Sequence, residues 1–290
     1  MLKRILIIAF VVIGFAVAIL VAARNAIDAA VVPIASIAQG NVRLLFDTAS
    51  WLIWAAVAAG VLAGGLARRR PDAIEGARVL RHDSVAISEH WSHALATLLL
   101  VGSGIALGAR FLPAFVSGMY QAGLALNLHY VGVVVFCFGA TFYATNALLT
   151  GRWKGHMPRE LGSAVKSVFA HYKALFGGAD MPPEDKYFAS EHLTYPVAVT
   201  GSTLMLLTGL IKVAAHSVDI PAWLIGPTFW IHDITAVVLG LFLVAHALMG
   251  ALVPWSWPLL QSMFTGYVSA DYAEHHHGTW YAQLKEAGRK

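Results

Sequence analysis

Six apolar stretches, each close to the length of a membrane-crossing helix, constrain the fold more than any other feature of the sequence. A helix needs about 20 apolar residues to cross a hydrocarbon core of about 30 Å. Charged residues make up 12% of the chain, roughly half the share that is usual in soluble domains. The sequence therefore predicts an all-α integral membrane helical bundle. The stretches are residues 5–23, 49–67, 86–108, 125–149, 193–213 and 227–252.

The first two stretches precede a compact set of four. Residues 1–23 combine a basic start with a long apolar run, which predicts a signal anchor or, as the alternative, a cleaved signal peptide. Residues 24–48 are predicted to be a periplasmic segment and residues 49–67 an extra transmembrane helix. Residues 84–257 are predicted to form the four-helix core, and residues 258–290 a cytoplasmic tail.

The distribution of Lys and Arg predicts the orientation of the helices. Of the 20 basic residues, 16 fall on the side of the N-terminus and 4 on the opposite side. Cytoplasmic loops carry such an excess in bacterial inner membranes, so both termini are predicted to be cytoplasmic if residues 1–23 are retained. The bias explains the net charge of +4 without a nucleic-acid partner. Residues 161–176 have amphipathic spacing, which predicts either a helix in contact with membrane lipid or an ordinary loop helix.

Five of the 13 histidines lie inside the predicted spans, where ionisable residues are rare and usually functional. His232 and His246 share one span and are 14 residues apart. In an α-helix that spacing corresponds to about 21 Å along the axis and about 40° of rotation. One histidine is therefore expected near each membrane surface. The five are His90, His93, His129, His232 and His246.

The topology sorts four of these histidines into two pairs of matching depth. His129 and His232 each lie near the start of a helix that enters from outside, whereas His90 and His246 lie near the inner surface. Two neutral imidazoles on facing helices are the axial ligands of a six-coordinate b-type haem. The pattern predicts two b haems and electron transfer across the membrane. Independent packing histidines are the alternative.

Two further observations refine this prediction. His93 lies one helical turn from His90 and is an alternative ligand, or a hydrogen-bond partner of a haem propionate or a quinone. The single cysteine, Cys137, cannot hold an iron–sulfur cluster or attach a c-type haem, so any iron–sulfur relay belongs to another chain. The run His275–His277 is interpreted as a solvated tail rather than a metal site.

Short motifs recur in a fixed order over residues 84–285. They are His90-Trp91 followed by Ser103-Gly104, Leu128-His129 followed by Gly132, the pair His232 and His246, the stretch LLTGLIK (residues 206–212), and YVSADYAEHHHGTWY in the tail. In these motifs the chain resembles the gamma subunit of membrane-bound respiratory formate dehydrogenase, within the wider family of di-haem membrane cytochromes b. The resemblance implies a four-helix di-haem core.

The resemblance also implies partners. They are a periplasmic catalytic subunit with a molybdenum or tungsten cofactor, an iron–sulfur subunit, and a quinone that is reduced near the cytoplasmic face. No catalytic residue is predicted in this chain, because it contains no nucleophile–base set and no phosphate-binding loop. The resemblance implies that formate is oxidised on the partner subunit.

The quinone loop of the family is matched only in part by residues 186–192. Phe188 stands where the family has Asn, so Lys186, Glu191 and His192 become the candidate quinone residues, with His192 suited to relay protons near neutral pH. The usual arginine just before His-Trp is also missing. Arg81 is the candidate that replaces it by binding a haem propionate.

Two other functions remain open. The chain is alternatively a cytochrome b that serves a hydrogenase, a thiosulfate reductase or another periplasmic oxidoreductase, which the same histidines would suit equally well. A membrane transporter without redox activity is the third possibility. Broken helices and inverted repeats are typical of transporters, and the sequence shows no inverted repeat.

Overall fold

The computed structural model describes residues 44–157, 161–175, 184–215 and 218–289, together with five isolated positions. The predicted signal segment 1–23 and almost all of the predicted periplasmic segment 24–48 lie outside the continuous described residues. In chain order the helices are α1 (Leu45–Thr48), α2 (Trp51–Leu66), α3 (Ser84–Leu107), α4 (Met119–Thr150), α5 (Leu161–Leu175), α6 (Ala189–Ala214), α7 (Ala222–Leu252), α8 (Trp257–Thr265), α9 (Ala270–His276) and α10 (Gly278–Ala287).

Four of these helices, α3, α4, α6 and α7, are long and apolar enough to cross a membrane. They coincide with the four predicted spans of the core, which confirms the all-α membrane bundle. Helix α2 lies inside the predicted extra span but has only 16 residues, about 24 Å of helix. It is shorter than a full crossing, so its passage through the membrane stays a prediction.

The chain divides into two compact units. The first, here called the bundle unit, comprises residues 1–67, 88–146 and 203–241. The second, here called the polar unit, comprises residues 68–87, 147–202 and 242–290. Both predicted outer-side histidines, His129 and His232, belong to the bundle unit.

Within the bundle unit the long helices pack against one another. Helix α3 meets α4, since a Cβ on Gly132 would lie 2.8 Å from Cγ of Leu100. Helix α3 also meets α7, since a Cβ on Gly240 would lie 3.8 Å from a methyl group of Val101. Leu206 of α6 packs against the apolar cluster that α2 and α4 form around Ile53, Tyr130 and Cys137.

Helix α2 packs along α4 through two glycines. A Cβ on Gly60 would collide with Oγ1 of Thr141 and lie 2.5 Å from the carbonyl oxygen of Phe138. A Cβ on Gly64 would lie 2.6 Å from the carbonyl oxygen of Phe142. Small residues at such a contact let two helix backbones approach closely, as is common in membrane bundles. The side chain of Asn146 strengthens the contact, because its Nδ2 donates to the carbonyl of Gly64 (3.2 Å).

The polar unit contains a small antiparallel sheet in the order β1-β2-β3, which the sequence did not predict. Its strands are β1 (Ala73–Glu75), β2 (Arg78–Leu80) and β3 (Tyr267–Ser269). Val79 pairs with Val268, and both are buried in a core that includes Trp280. Strands of three residues are too short to show the apolar–polar alternation by which strands are recognised.

The interpretation of His275–His277 as a solvated tail is wrong for His277, which is fully buried. Its Nδ1 lies 2.7 Å from the carbonyl oxygen of Asp185, and its Nε2 lies 3.3 Å from a guanidinium nitrogen of Arg81. A carbonyl only accepts and a guanidinium only donates. His277 is therefore neutral, with its proton on Nδ1, and it fixes the C-terminal segment within the polar unit.

Alanine at Gly60 is expected to destabilise the protein, whereas alanine at Gly65 is not. Gly60→Ala puts a methyl group into the backbone of α4, and such overpacking costs about 1–3 kcal/mol. Gly65 lies in the same helix with nothing within 4 Å of its Cβ position, so Gly65→Ala removes a flexible residue without a clash. The measurement is the thermal unfolding midpoint in detergent. Equal midpoints for the two variants would contradict the close contact of α2 with α4.

Candidate haem site

The bundle unit contains two imidazole–hydroxyl pairs of the same design. Nδ1 of His129 in α4 lies 3.0 Å from Oγ of Ser103 in α3. Nδ1 of His232 in α7 lies 2.8 Å from Oγ1 of Thr208 in α6. Each histidine is therefore oriented by a hydroxyl on the preceding long helix, and the four helices contribute one residue each.

The hydroxyl protons decide the tautomer of both histidines. Ser103 donates to the carbonyl oxygen of Leu99 (2.6 Å), and Thr208 donates to that of Leu204 (2.6 Å). A hydroxyl has one proton, so the oxygen that has given it to its own helix can only accept from the imidazole. Both histidines thus carry their proton on Nδ1 and keep the lone pair of Nε2 for another partner.

A glycine follows each hydroxyl and leaves room for the ring. A Cβ on Gly104 would lie 3.9 Å from Cε1 of His129, and a Cβ on Gly209 would lie 3.6 Å from Cε1 of His232. Both distances are ordinary van der Waals contacts, so each imidazole lies against the backbone of the helix that carries its hydroxyl.

The two pairs occupy equivalent places in their helices. His129 stands ten residues after the first residue of α4, and His232 stands ten residues after the first residue of α7. At 1.5 Å per residue both lie about 15 Å from the start of their helix. The hydroxyls lie in the last two turns of α3 and α6. The two histidines therefore lie at equivalent positions along their helices, and so do their hydroxyl partners.

This arrangement suits the axial ligands of a b-type haem. An imidazole binds iron through a neutral ring nitrogen, and the other ring nitrogen normally donates to an oxygen that fixes the tautomer and the orientation. Both His129 and His232 meet that requirement, with a hydroxyl as the fixing oxygen. Neither histidine uses a carboxylate as its hydrogen-bond partner, so no negative charge is placed in the apolar part of the protein.

The inner-side histidines have different surroundings. His93 in α3 has Nδ1 2.8 Å from the carbonyl oxygen of Glu89, so its Nε2 also keeps its lone pair. Its Cε1 would lie 3.4 Å from a Cβ on Gly139 of α4. His90 meets its neighbour Trp91 edge-on, with ring centroids 5.4 Å apart. Both belong to the bundle unit, and the choice between them as ligand stays a prediction.

His246, the predicted partner of His90, lies in the polar unit on the last third of α7. Its ring stacks on that of Phe242, one turn earlier, with centroids 6.1 Å apart. The ligand role of His246 and its pairing with His90 therefore rest on the 14-residue spacing from His232 and on topology.

Arg81, the predicted propionate ligand, is buried inside the polar unit at 2% exposure. Its guanidinium lies over the rings of Trp280 (5.5 Å) and Tyr187 (5.8 Å) and 4.0 Å from the carboxylate of Glu191. With His277, these contacts surround the guanidinium with protein groups. The propionate role stays a prediction.

The three candidate quinone residues lie near one another in the polar unit. Lys186 forms an ion pair with Asp72 (2.7 Å). The carboxylate of Glu191 accepts from the backbone N–H of Phe188 (2.7 Å) at the start of α6. His192 approaches the carbonyl oxygen of His156 (3.2 Å) through Nδ1.

His156 is a member of this group that the sequence analysis missed. Its ring lies 4.4 Å from that of Tyr187 and 5.0 Å from that of Tyr195 between centroids. Burial lowers the pKa of His156 to about 4, with further lowering by Arg152, Lys186 and Arg69. Burial also lowers the pKa of Lys186, an effect that Asp72 opposes. In the sequence His156 follows a polar segment, as a solvent-exposed residue would. Only the folded structure shows that its ring packs against those of Tyr187 and Tyr195.

A protein-family comparison identifies the family of the chain. Residues 81–266, more than half of the chain, match the model of the prokaryotic cytochrome b561 family. The chain belongs to this family. Membership implies haem b, electron transfer and a multi-pass membrane location for this cytochrome. No curated protein matches the chain.

Removing either hydroxyl is expected to weaken haem binding and to change the remaining haem. Without Ser103 or Thr208 the Nδ1 proton loses its acceptor, and loss of such a partner typically costs about 10–100-fold in metal affinity. The less basic imidazole should also raise the midpoint potential of the haem. The measurements are haem content and redox titration of Ser103→Ala and Thr208→Val.

The matched controls are Ser103→Thr and Thr208→Ser, which keep the hydroxyl and should keep both properties close to those of the wild type. If the hydroxyl-free variants bind haem with the same content and midpoint potential as the wild type, the hydroxyls do not orient axial ligands.

Proposed function

We propose that this cytochrome is the membrane subunit of a respiratory formate dehydrogenase and that it passes electrons from a periplasmic iron–sulfur subunit to a quinone near the cytoplasmic face. The observation that supports electron transfer most directly is the repeated imidazole–hydroxyl pair of the bundle unit. It offers two neutral imidazoles of the same tautomer, one from α4 and one from α7. A site with both axial positions filled by histidine leaves none for oxygen and favours electron transfer.

The residues of the chain have distinct tasks in this proposal. His129 and His232 hold the outer haem, and Ser103 and Thr208 orient them. His246 and His90, or His93 in its place, hold the inner haem. When bound, haem b supplies an iron that gains or loses one electron.

Formate as the electron source is supported by the order of motifs from His90-Trp91 to the tail sequence. The proposal includes the periplasmic catalytic subunit with molybdenum or tungsten and the separate iron–sulfur subunit. Cys137, the single cysteine, is buried inside the bundle unit and cannot supply a cluster. A hydrogenase or a thiosulfate reductase would need the same two haems, so the identity of the partner enzyme must be tested directly.

Two b haems per chain are expected in the complex purified through this subunit. His232→Ala and His246→Ala should each retain about one, because each removes a ligand of a different haem. Pyridine haemochrome absorbance against protein concentration gives the count. A wild-type count of zero, or variants with the wild-type count, would remove the haem assignments.

The same preparation identifies the electron source. Formate should reduce the haem within the complex and hydrogen should not, and thiosulfate should not reoxidise haem that formate has reduced. Reduction by hydrogen alone would keep the cytochrome and its haems but would assign the subunit to a hydrogenase.

The quinone end of the proposal rests on the group formed by Lys186, Glu191 and His192. Glu191 is 45% exposed, and it lies beside the buried Arg81, so it connects solvent with the interior of the polar unit. His192 is next in sequence. Together they form a route by which protons from the cytoplasm reach a quinone.

Glu191→Gln combined with His192→Gln is expected to slow quinone reduction while both haems remain. Glutamine keeps the hydrogen-bonding atoms but has no proton to release near neutral pH. Stopped-flow reduction of a soluble quinone analogue measures the rate, and haem spectra confirm the cofactor content. Thr194→Ala, an exposed change in the same helix, is the control. Unchanged quinone turnover in the double variant would dismiss this proton route.

A further inference from the structure

The polar unit contains a cavity of about 370 Å³ whose wall is rich in cations. Its charged lining residues are Arg69, Arg70, Arg152 and Lys186, opposed by Asp72 alone. Two of the arginines have acidic partners outside the lining, since Arg69 contacts Asp83 and Arg70 contacts Glu75. The wall nevertheless presents four positive groups against one negative group, a combination that suits an anion.

The cavity is lined by residues at the ends of long apolar helices, which indicates a location at the membrane surface. Thr150, the last residue of α4, is part of the wall, and so is Lys186, three residues before α6 begins. Both helices are long enough to cross a membrane. Residues at such helix ends lie where the hydrocarbon core gives way to the lipid headgroups. The headgroup of an anionic lipid would therefore lie at the same depth in the membrane as the cavity.

His156 reports the positive field inside the cavity. After burial, the three largest causes that lower its pKa are the nearby Arg152, Lys186 and Arg69. With a pKa of about 4 its ring is neutral at pH 7, so it adds no charge to the wall and retains one N–H donor. An anion in the cavity would reduce this repulsion and raise the pKa of His156.

We propose that this cavity binds the phosphate group of an anionic phospholipid. Arginine forks match phosphate oxygens in pairs, and lysine adds a point charge. Basic pockets at the cytoplasmic ends of membrane helices bind lipid headgroups in this way. The site shares Lys186 with the group proposed for the quinone, but it does not depend on the electron donor, so it stands whichever oxidoreductase the chain serves. Free phosphate has the same chemistry and is separated from the lipid by experiment.

The test is native mass spectrometry of the delipidated, haem-loaded protein in detergent. It is titrated with phosphatidylglycerol, with zwitterionic phosphatidylcholine, and with inorganic phosphate. Phosphatidylglycerol should bind more tightly than phosphatidylcholine. Arg152→Gln should weaken phosphatidylglycerol binding about fivefold, the effect of one basic residue at a membrane surface. Arg152→Lys should restore most of it, which separates lost charge from misfolding.

Lys154→Gln is the matched control. Lys154 belongs to the same short helix as Arg152, Arg152–Gly155, but its ammonium lies over the ring of Trp153 (5.9 Å) and it does not line the cavity. The affinity of the Lys154→Gln variant for phosphatidylglycerol should stay within about twofold of the wild type, since Lys154 does not line the cavity and would not contact the phosphate. NMR titration of His156 gives a second readout, in which phosphatidylglycerol should raise its pKa.

Three results would overturn the proposal. Equal affinity for the two lipids would show that the cavity does not recognise negative charge. Equal weakening by Arg152→Gln and Lys154→Gln would show general surface attraction rather than a site. Displacement of phosphatidylglycerol by low millimolar inorganic phosphate, with phosphate alone raising the pKa of His156, would assign the cavity to a soluble anion.

Discussion

Each hydroxyl has a single proton, and this constraint determines how the two imidazole–hydroxyl pairs of the bundle unit are arranged. Ser103 and Thr208 each give that proton to a carbonyl of their own helix, so each oxygen can serve an imidazole only as an acceptor. Two polar side chains are thereby satisfied inside an apolar region where water offers no replacement. The same bond orients the ring, links neighbouring helices and leaves the lone pair of Nε2 available, which is what the proposed role as an iron ligand requires.

The polar unit solves a different physical problem. Its cations, carboxylates and histidines cannot be buried singly, because an isolated charge away from water is costly. Arg81 is accordingly surrounded by two aromatic faces, a neutral histidine and a carboxylate. Strand β2 and strand β3 are nearly 190 residues apart in sequence and pair directly. The C-terminal segment is therefore part of the folded unit that contains the residues proposed to serve the quinone and the lipid.

Periodicity and charge bias were sufficient to predict the four long helices, because each apolar run has the length that a bilayer requires. The equivalent positions of His129 and His232 along their helices also followed from sequence, since residue count fixes how far each lies from the start of its helix; their equal depth in the membrane stays a prediction. The hydroxyl partners did not follow, although Ser103-Gly104 and Thr208-Gly209 each bring a hydroxyl next to a glycine. Which helix faces which is a tertiary property. For the same reason the burial of His277 and the place of His156 depend on contacts between distant segments.

The repeated register also relates the two helix pairs that carry the candidate haem ligands. Tyr143 stands 14 residues after His129, as His246 does after His232, and Tyr195 stands 13 residues before Thr208, as His90 does before Ser103. The helix pairs α3–α4 and α6–α7 thus agree in residue type at the outer depth, where each contributes one hydroxyl and one imidazole. At the predicted inner depth they diverge, and a phenol in one pair stands where the other pair has an imidazole. In the proposed di-haem arrangement the two haems would therefore have environments of different symmetry.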